Sequence, residues 1–139
     1  PIDLAEEQCL MELGKVTQIM DDIFDAFEDI HAEKLTFISL FDHPSRIKVI
    51  YQQELTNLFE HIKRLNYPPG QKKRFSSLVN LLLTPAFNAL ENYRRLGINE
   101  LTASSFEKYS RTDLVCDMES APEIRRTLLT ALKNERLRP

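Results

Sequence analysis

Glu28 and His31 stand three residues apart, the Glu-x-x-His spacing with which four-helix proteins hold a pair of metal ions. Such a centre needs two of these pairs plus two further carboxylates. The other histidines, His43 and His61, have Leu40 and Leu58 at that offset, and the local heptad register turns Glu28 away from a bundle centre. The neighbouring acids lack the glycine and ligand spacing of a calcium-binding loop. Neither a metal nor a cofactor is expected.

Nucleophiles are no better supported. Ser45 with Lys48, and Ser105 with Lys108, both satisfy Ser-x-x-Lys, but the motifs that accompany it in hydrolases are missing. Cys9 falls in an apolar stripe and reads as a small hydrophobe. Cys116 lies between Asp113 and Asp117, whose charges favour the protonated thiol. Glycine-rich phosphate loops, paired-cysteine motifs and His-Glu-x-x-His do not occur, so catalysis is not expected.

The residues best suited to binding are basic. Gln71-Lys72-Lys73-Arg74 follows a Pro68-Pro69-Gly70 break at the start of a helix, with Lys63, Arg64 and Tyr67 just across the loop. Cations there oppose the helix dipole by about 0.3–1 kcal/mol each. The same place leaves backbone N–H groups free for an anion. Lys63, Arg64, Tyr67, Lys72, Lys73 and Arg74 are therefore the candidate partner-binding residues. Extended by Phe75, Arg94 and Arg95, they would also make a stripe for a nucleic-acid backbone, although a sequence pI of about 5.7 argues against that use.

These residues must be positioned by helices. Cys9, Leu13, Val16, Met20, Ile23, Phe27 and Ile30 alternate steps of four and three, predicting a long amphipathic first helix. Its flanking apolar residues widen the stripe beyond a two-stranded coil, although pairing with a second copy through the Cys9–Ile30 seam is one expectation. Asp21, Asp22, Asp25, Glu28 and Asp29 are expected on its outward face. Leu35 to Phe41 continues or re-enters the helix, and Asp42 or His43 caps the next one ahead of Pro44. Ile47, Tyr51, Leu55, Leu58, Ile62 and Leu65 mark the second helix, and Phe75, Leu78, Val79 and Leu82 the third. Thr84-Pro85 predicts a cap with a new or kinked helix running to Leu96, where Gly97-Ile98 suits a Schellman stop. Residues 99–119 should form short helices joined by turns. Ser120-Ala121-Pro122-Glu123 then opens a last helix whose buried face is expected to be Ile124, Leu128, Ala131 and Leu132.

With 139 residues, only 3 glycines and no long apolar run, the expected fold is all-α: a single-domain helical bundle of about five to seven helices over residues 1–139. Its two cysteines and the lack of a leader-like start predict an intracellular protein, and a start at Pro1 without methionine allows for a fragment of a longer one. Charge divides along the chain. Residues 1–43 carry eleven acids and two bases, residues 44–97 three acids and nine bases, and the remainder seven of each. No motif carries a family resemblance. The expected function is a protein–protein interaction module, an adaptor, scaffold or regulatory domain whose basic rim docks an acidic, phosphorylated or amphipathic segment. The alternatives are a nucleic-acid- or phosphate-binding domain and a small helical enzyme. Ser104, Ser105, Ser110 and Thr112 are the places where modification would be sought.

Overall fold

A computed structural model of the chain describes residues 2–115 and 120–136, with the side chains of 134–136 left aside. Cys116 and Asp117 lie outside the described residues. The described elements are helices: α1 (Leu4–His31), a 3-10 turn (Ile38–Leu40), α2 (Pro44–Arg64), α3 (Pro69–Leu83), α4 (Pro85–Arg95), α5 (Ala103–Phe106), α6 (Arg111–Leu114) and α7 (Ala121–Arg136). None of them is long and apolar enough to cross a membrane. The expected all-α fold is what the chain adopts.

α1 starts where its sequence can satisfy the free N–H groups of a helix end. The Asp3 carboxylate accepts from Glu6 N–H at 2.8 Å, and Glu6 returns the bond to Asp3 N–H at 2.9 Å. Its apolar stripe is spent inside the fold, with Cys9, Val16, Ile19, Ile23 and Ala26 in the core against α2 and α4. Of the seam expected to pair with a second copy, Cys9, Val16 and Ile23 are buried in this core, and Leu13, Met20, Phe27 and Ile30 are partly buried against it.

Two acids expected on the outer face of α1 are instead buried. Asp22 is 9 % and Asp29 7 % exposed. Asp22 accepts hydrogen bonds from Phe37 N–H and the Gln18 amide, both at 2.8 Å, and so anchors the 3-10 turn. Asp29 takes Lys34 Nζ at 2.9 Å, while its own carbonyl accepts from Lys34 N–H. These carboxylates fold the connection back onto the helix, and its apolar stretch re-enters helix for a single turn only.

α2 begins at Pro44, and its predicted apolar positions, Ile47 to Leu65, are all buried. At its far end Lys72 donates to the carbonyls of Lys63 (2.8 Å) and Leu65 (3.2 Å), supplying the cation and donors that a helix C-terminus favours. α4 continues α3 through a kink. Thr84 keeps helical backbone angles, and its hydroxyl donates back to Asn80 O at 2.7 Å rather than capping α4. Pro85 interrupts the ladder, and Phe87 N–H bonds Thr84 O instead of Leu83 O. The stranded Leu83 carbonyl accepts from Tyr51 OH at 2.7 Å. Tyr93 OH likewise reaches Ile23 O at 2.8 Å, tying α4 to α1. Burial pushes both phenols well above their ordinary range, so both stay protonated donors.

α4 stops as the sequence predicts. Gly97 takes φ +73°, Ile98 N–H bonds Tyr93 O at 2.9 Å and Gly97 N–H bonds Arg94 O at 3.1 Å, a Schellman motif closed by buried Ile98. The short helices α5 and α6 follow, opened by Thr102 and by a Ser110–Asp113 capping box.

Replacing Tyr51 by Phe leaves the Leu83 carbonyl buried without a donor. The expected loss is about 1–3 kcal/mol in urea unfolding at unchanged m-value. Stability equal to that of the unsubstituted chain would mean that the kink has another donor.

Candidate functional site

The helix α3–α4 carries Asn80, Thr84, Asn88 and Asn92, each four residues after the last and therefore along one side. Asn80, Thr84 and Asn88 are almost completely buried. Polar groups in that position must find partners, and α7 supplies most of them. Asn80 Nδ2 donates to Ala131 O at 3.0 Å, Asn88 Nδ2 to Thr127 Oγ1 at 2.9 Å, and Thr130 Oγ1 to Asn88 Oδ1 at 3.3 Å. Arg126 reaches Asn92 Oδ1 at 2.7 Å, Asn88 O at 3.0 Å and the Glu123 carboxylate at 3.2 Å.

This ridge reverses the orientation expected of α7. Thr127 and Ala131 are its buried residues, whereas Ile124, Leu128 and Leu132 are 40 %, 46 % and 56 % exposed. The polar face of α7 turns inward because the surface it meets is polar. Ala131 alone of the four expected buried residues faces in. α3 shows a related shift: Leu78 and Leu82 are exposed, and Val79, Asn80 and Leu83 point to the core.

α2 and α7 both pack on the α3–α4 pair and leave a groove of about 1080 Å³ between them. Leu55, Phe59 and Phe87 give it an apolar base, with Asn80 and Asn88 beside them and Leu129 on the α7 side. Lys48 and Lys63 come from α2, Arg95 from α4, and Arg125, Arg126 and Lys133 from α7, against the carboxylates of Glu60 and Glu91. Lys63 pairs with Glu60 at 2.7 Å, Lys48 approaches Glu91 at 4.0 Å, and Arg126 is held by Glu123. Arg95, Arg125 and Lys133 form no salt bridge among the described residues. Hydrogen bonds from Arg94 and Lys63 hold the Glu91 and Glu60 carboxyls below the ordinary range, so both are ionised.

The charge division seen in the sequence survives folding. The acids of α1 are met by Lys15, Lys34 and, from α6, by Arg111, which lies 3.3 Å from Asp25 and 3.4 Å from Glu28. No base of residues 44–97 makes a salt bridge with an acid of residues 1–43 among the described residues.

The candidate rim from the sequence is divided. Lys63 faces the groove, whereas Lys72 is engaged by the end of α2 and Tyr67 donates to the Glu6 carboxylate. Tyr67 and Lys72 also border a smaller hollow of about 360 Å³ with Cys9, Leu10 and Phe75. Burial raises the Cys9 thiol there above its ordinary range. Arg64, Lys73 and Arg74 are exposed and form no salt bridge among the described residues. The expected free amides at the start of α3 are reduced to that of Gly70, because Pro68 and Pro69 have none and Gln71 and Lys72 bond Pro68 O. Glu28 and His31 are engaged by other groups. Arg111 takes Glu28, His31 Nδ1 lies 2.6 Å from Phe27 O, and no cluster of metal-ligating side chains occurs among the described residues. Compared with family models, curated proteins and solved structures, the chain matches none.

Sequence reasoning missed Asn80, Asn88, Arg95, Arg125, Arg126 and Lys133 as one surface. The fourfold spacing from Asn80 to Asn92 was the available signal. Replacing Arg126 by Met should loosen α7 specifically. Hydrogen exchange in residues 121–133 is expected to accelerate at least tenfold while α1 and α2 keep their protection. Equal acceleration throughout would show that Arg126 supports the whole core instead.

Proposed function

We propose that this chain is a protein–protein interaction module, an adaptor, scaffold or regulatory domain that docks an acidic segment of another protein in the groove between α2 and α7. The observation that carries this reading is the pairing of an apolar base with a net-positive border in which Arg95, Arg125 and Lys133 form no salt bridge among the described residues. Apolar side chains of a partner would bury against Phe59 and Phe87 at about 25 cal/mol per Å². Border cations would contribute mainly to encounter rate and to selection of sign. The ionised, paired state of Glu60 and Glu91 favours binding over acid–base chemistry in this groove.

A nucleic-acid reading uses the same cations, but the groove's base is aliphatic and aromatic and two carboxylates stand in its border. The stripe through Lys73 and Arg74 belongs to a different face and can be tested separately.

The experiment compares three proteins in nuclease-treated lysate: the unsubstituted chain, Arg95→Glu/Arg125→Glu/Lys133→Glu, and Arg64→Glu/Lys73→Glu/Arg74→Glu. Lys72 is left intact because it holds the end of α2. The groove variant is expected to lose a captured protein at least tenfold while the second variant retains it. The reverse pattern would move docking to the rim of α3. Capture only before nuclease treatment, with retention on a single-stranded oligonucleotide falling steeply with salt, would replace the module by a nucleic-acid binder.

A further inference from the structure

Asn80 Oδ1 is the unusual atom of the groove. Asn80 is 1 % exposed, is one of the residues lining the groove, and spends its Nδ2 on Ala131 O, yet its buried carbonyl oxygen has no hydrogen-bond donor among the described residues. Asn88, by contrast, is bonded through both ends of its amide. Buried side-chain acceptors without a donor are few in folded proteins, and one on a residue that lines a groove is an address for a ligand's donor.

We infer that the occupant of this groove is an acidic amphipathic α-helix of a partner protein that sets one uncharged hydrogen-bond donor on Asn80. This inference rests on the docking function proposed above and specifies its ligand. Form follows from the walls. The lining of α2 from Lys48 to Lys63 and of α7 from Ala121 to Lys133 extends about 18–22 Å at 1.5 Å per residue, or about three to four helical turns. A helix satisfies its own backbone when it lies on Leu55, Phe59 and Phe87. An extended segment would bring unpaired N–H and C=O groups onto the same apolar base, where there is no strand edge among the described residues to receive them. Sign follows from Arg95, Arg125 and Lys133, which form no salt bridge among the described residues. The donor must be uncharged, because an ammonium or guanidinium would enter between the cations of both walls. An Asn or Gln amide, a Ser, Thr or Tyr hydroxyl, or the indole N–H of Trp meets the requirement.

The test is selection from a displayed library of 15-residue helical peptides, carried out on the unsubstituted protein and on Asn80→Leu. Peptides enriched by the unsubstituted protein should be acidic, with apolar residues at helical spacing and an uncharged donor fixed at one position. In the best of them, replacing that donor by an apolar residue of like size, for example Gln→Met, should weaken binding about tenfold. On Asn80→Leu the same replacement should cost less than twofold. Should Asn80→Leu fail to fold, the unsubstituted protein's own preference at that position decides. Acidic helices enriched without a donor preference, or a replacement that costs the same on both proteins, would overturn the assignment of Asn80 and leave the docking function standing. Enriched peptides that are not acidic, or whose binding survives Arg95→Glu/Arg125→Glu, would overturn the groove as the docking site.

Discussion

A row of amides and hydroxyls cannot be buried without hydrogen-bond partners, and α3–α4 places such a row on the side that α7 covers. Each polar group taken from water without a partner costs about 1–3 kcal/mol on mutational scales. A leucine face laid over Asn80, Asn88 and Asn92 would strand several of them at once. The face that does lie there offers Thr127, Thr130, Arg126 and the Ala131 carbonyl, and it leaves Ile124, Leu128 and Leu132 toward solvent. The orientation of α7 thus follows from hydrogen-bond satisfaction, against the pull of its own apolar residues. From that orientation come the groove, the basic flank that α7 turns toward α2, and the acceptor at Asn80 that has no donor among the described residues.

Pro85 gives that row its shape. The missing N–H and the kink would normally weaken a helix interior by about 3 kcal/mol. Here Tyr51 takes the Leu83 carbonyl that Phe87 N–H leaves, and Thr84 bonds back to Asn80 O where the helix bends. Charge is arranged around the same frame. α1 receives its counter-charges from Lys15, Lys34 and Arg111, and Asp22 is satisfied by Gln18 and Phe37 N–H. The cations of the middle segment are therefore not drawn across to the acidic helix. Several of them remain where α2 and α4 border the groove, joined there by those of α7.

What could be read from the sequence was local. The apolar steps of α2, Pro44, Pro85 and Gly97-Ile98 act within a turn or two of themselves, and each does what its chemistry predicts. The misplaced residues depend on partners far along the chain. Asp22 is drawn inward by Phe37, fifteen residues later, and heptad spacing contains nothing of that bond. Leu128 is turned outward by Asn88, whose bond to Thr127 spans thirty-nine residues. Lys72 looked like a free anion-binding cation, but the carbonyls it serves come from the end of the preceding helix. Of the basic rim read from sequence, Lys63 alone belongs to the groove, because the other groove cations lie on helices whose relative placement is tertiary.

The two walls of the groove are held by different physics. α2 is fixed by fully buried Ile47, Tyr51, Leu58 and Ile62, and each such aliphatic side chain contributes about 1.5–3 kcal/mol. Among the described residues α7 is held by hydrogen bonds, each worth about 0.5–1.5 kcal/mol after exchange with water, and by the small buried side chains Thr127 and Ala131. Local opening therefore requires less free energy at α7 than at α2. A ligand that adds apolar contact to Leu129 and charge to Arg125 and Lys133 would stabilise α7 more than any other element.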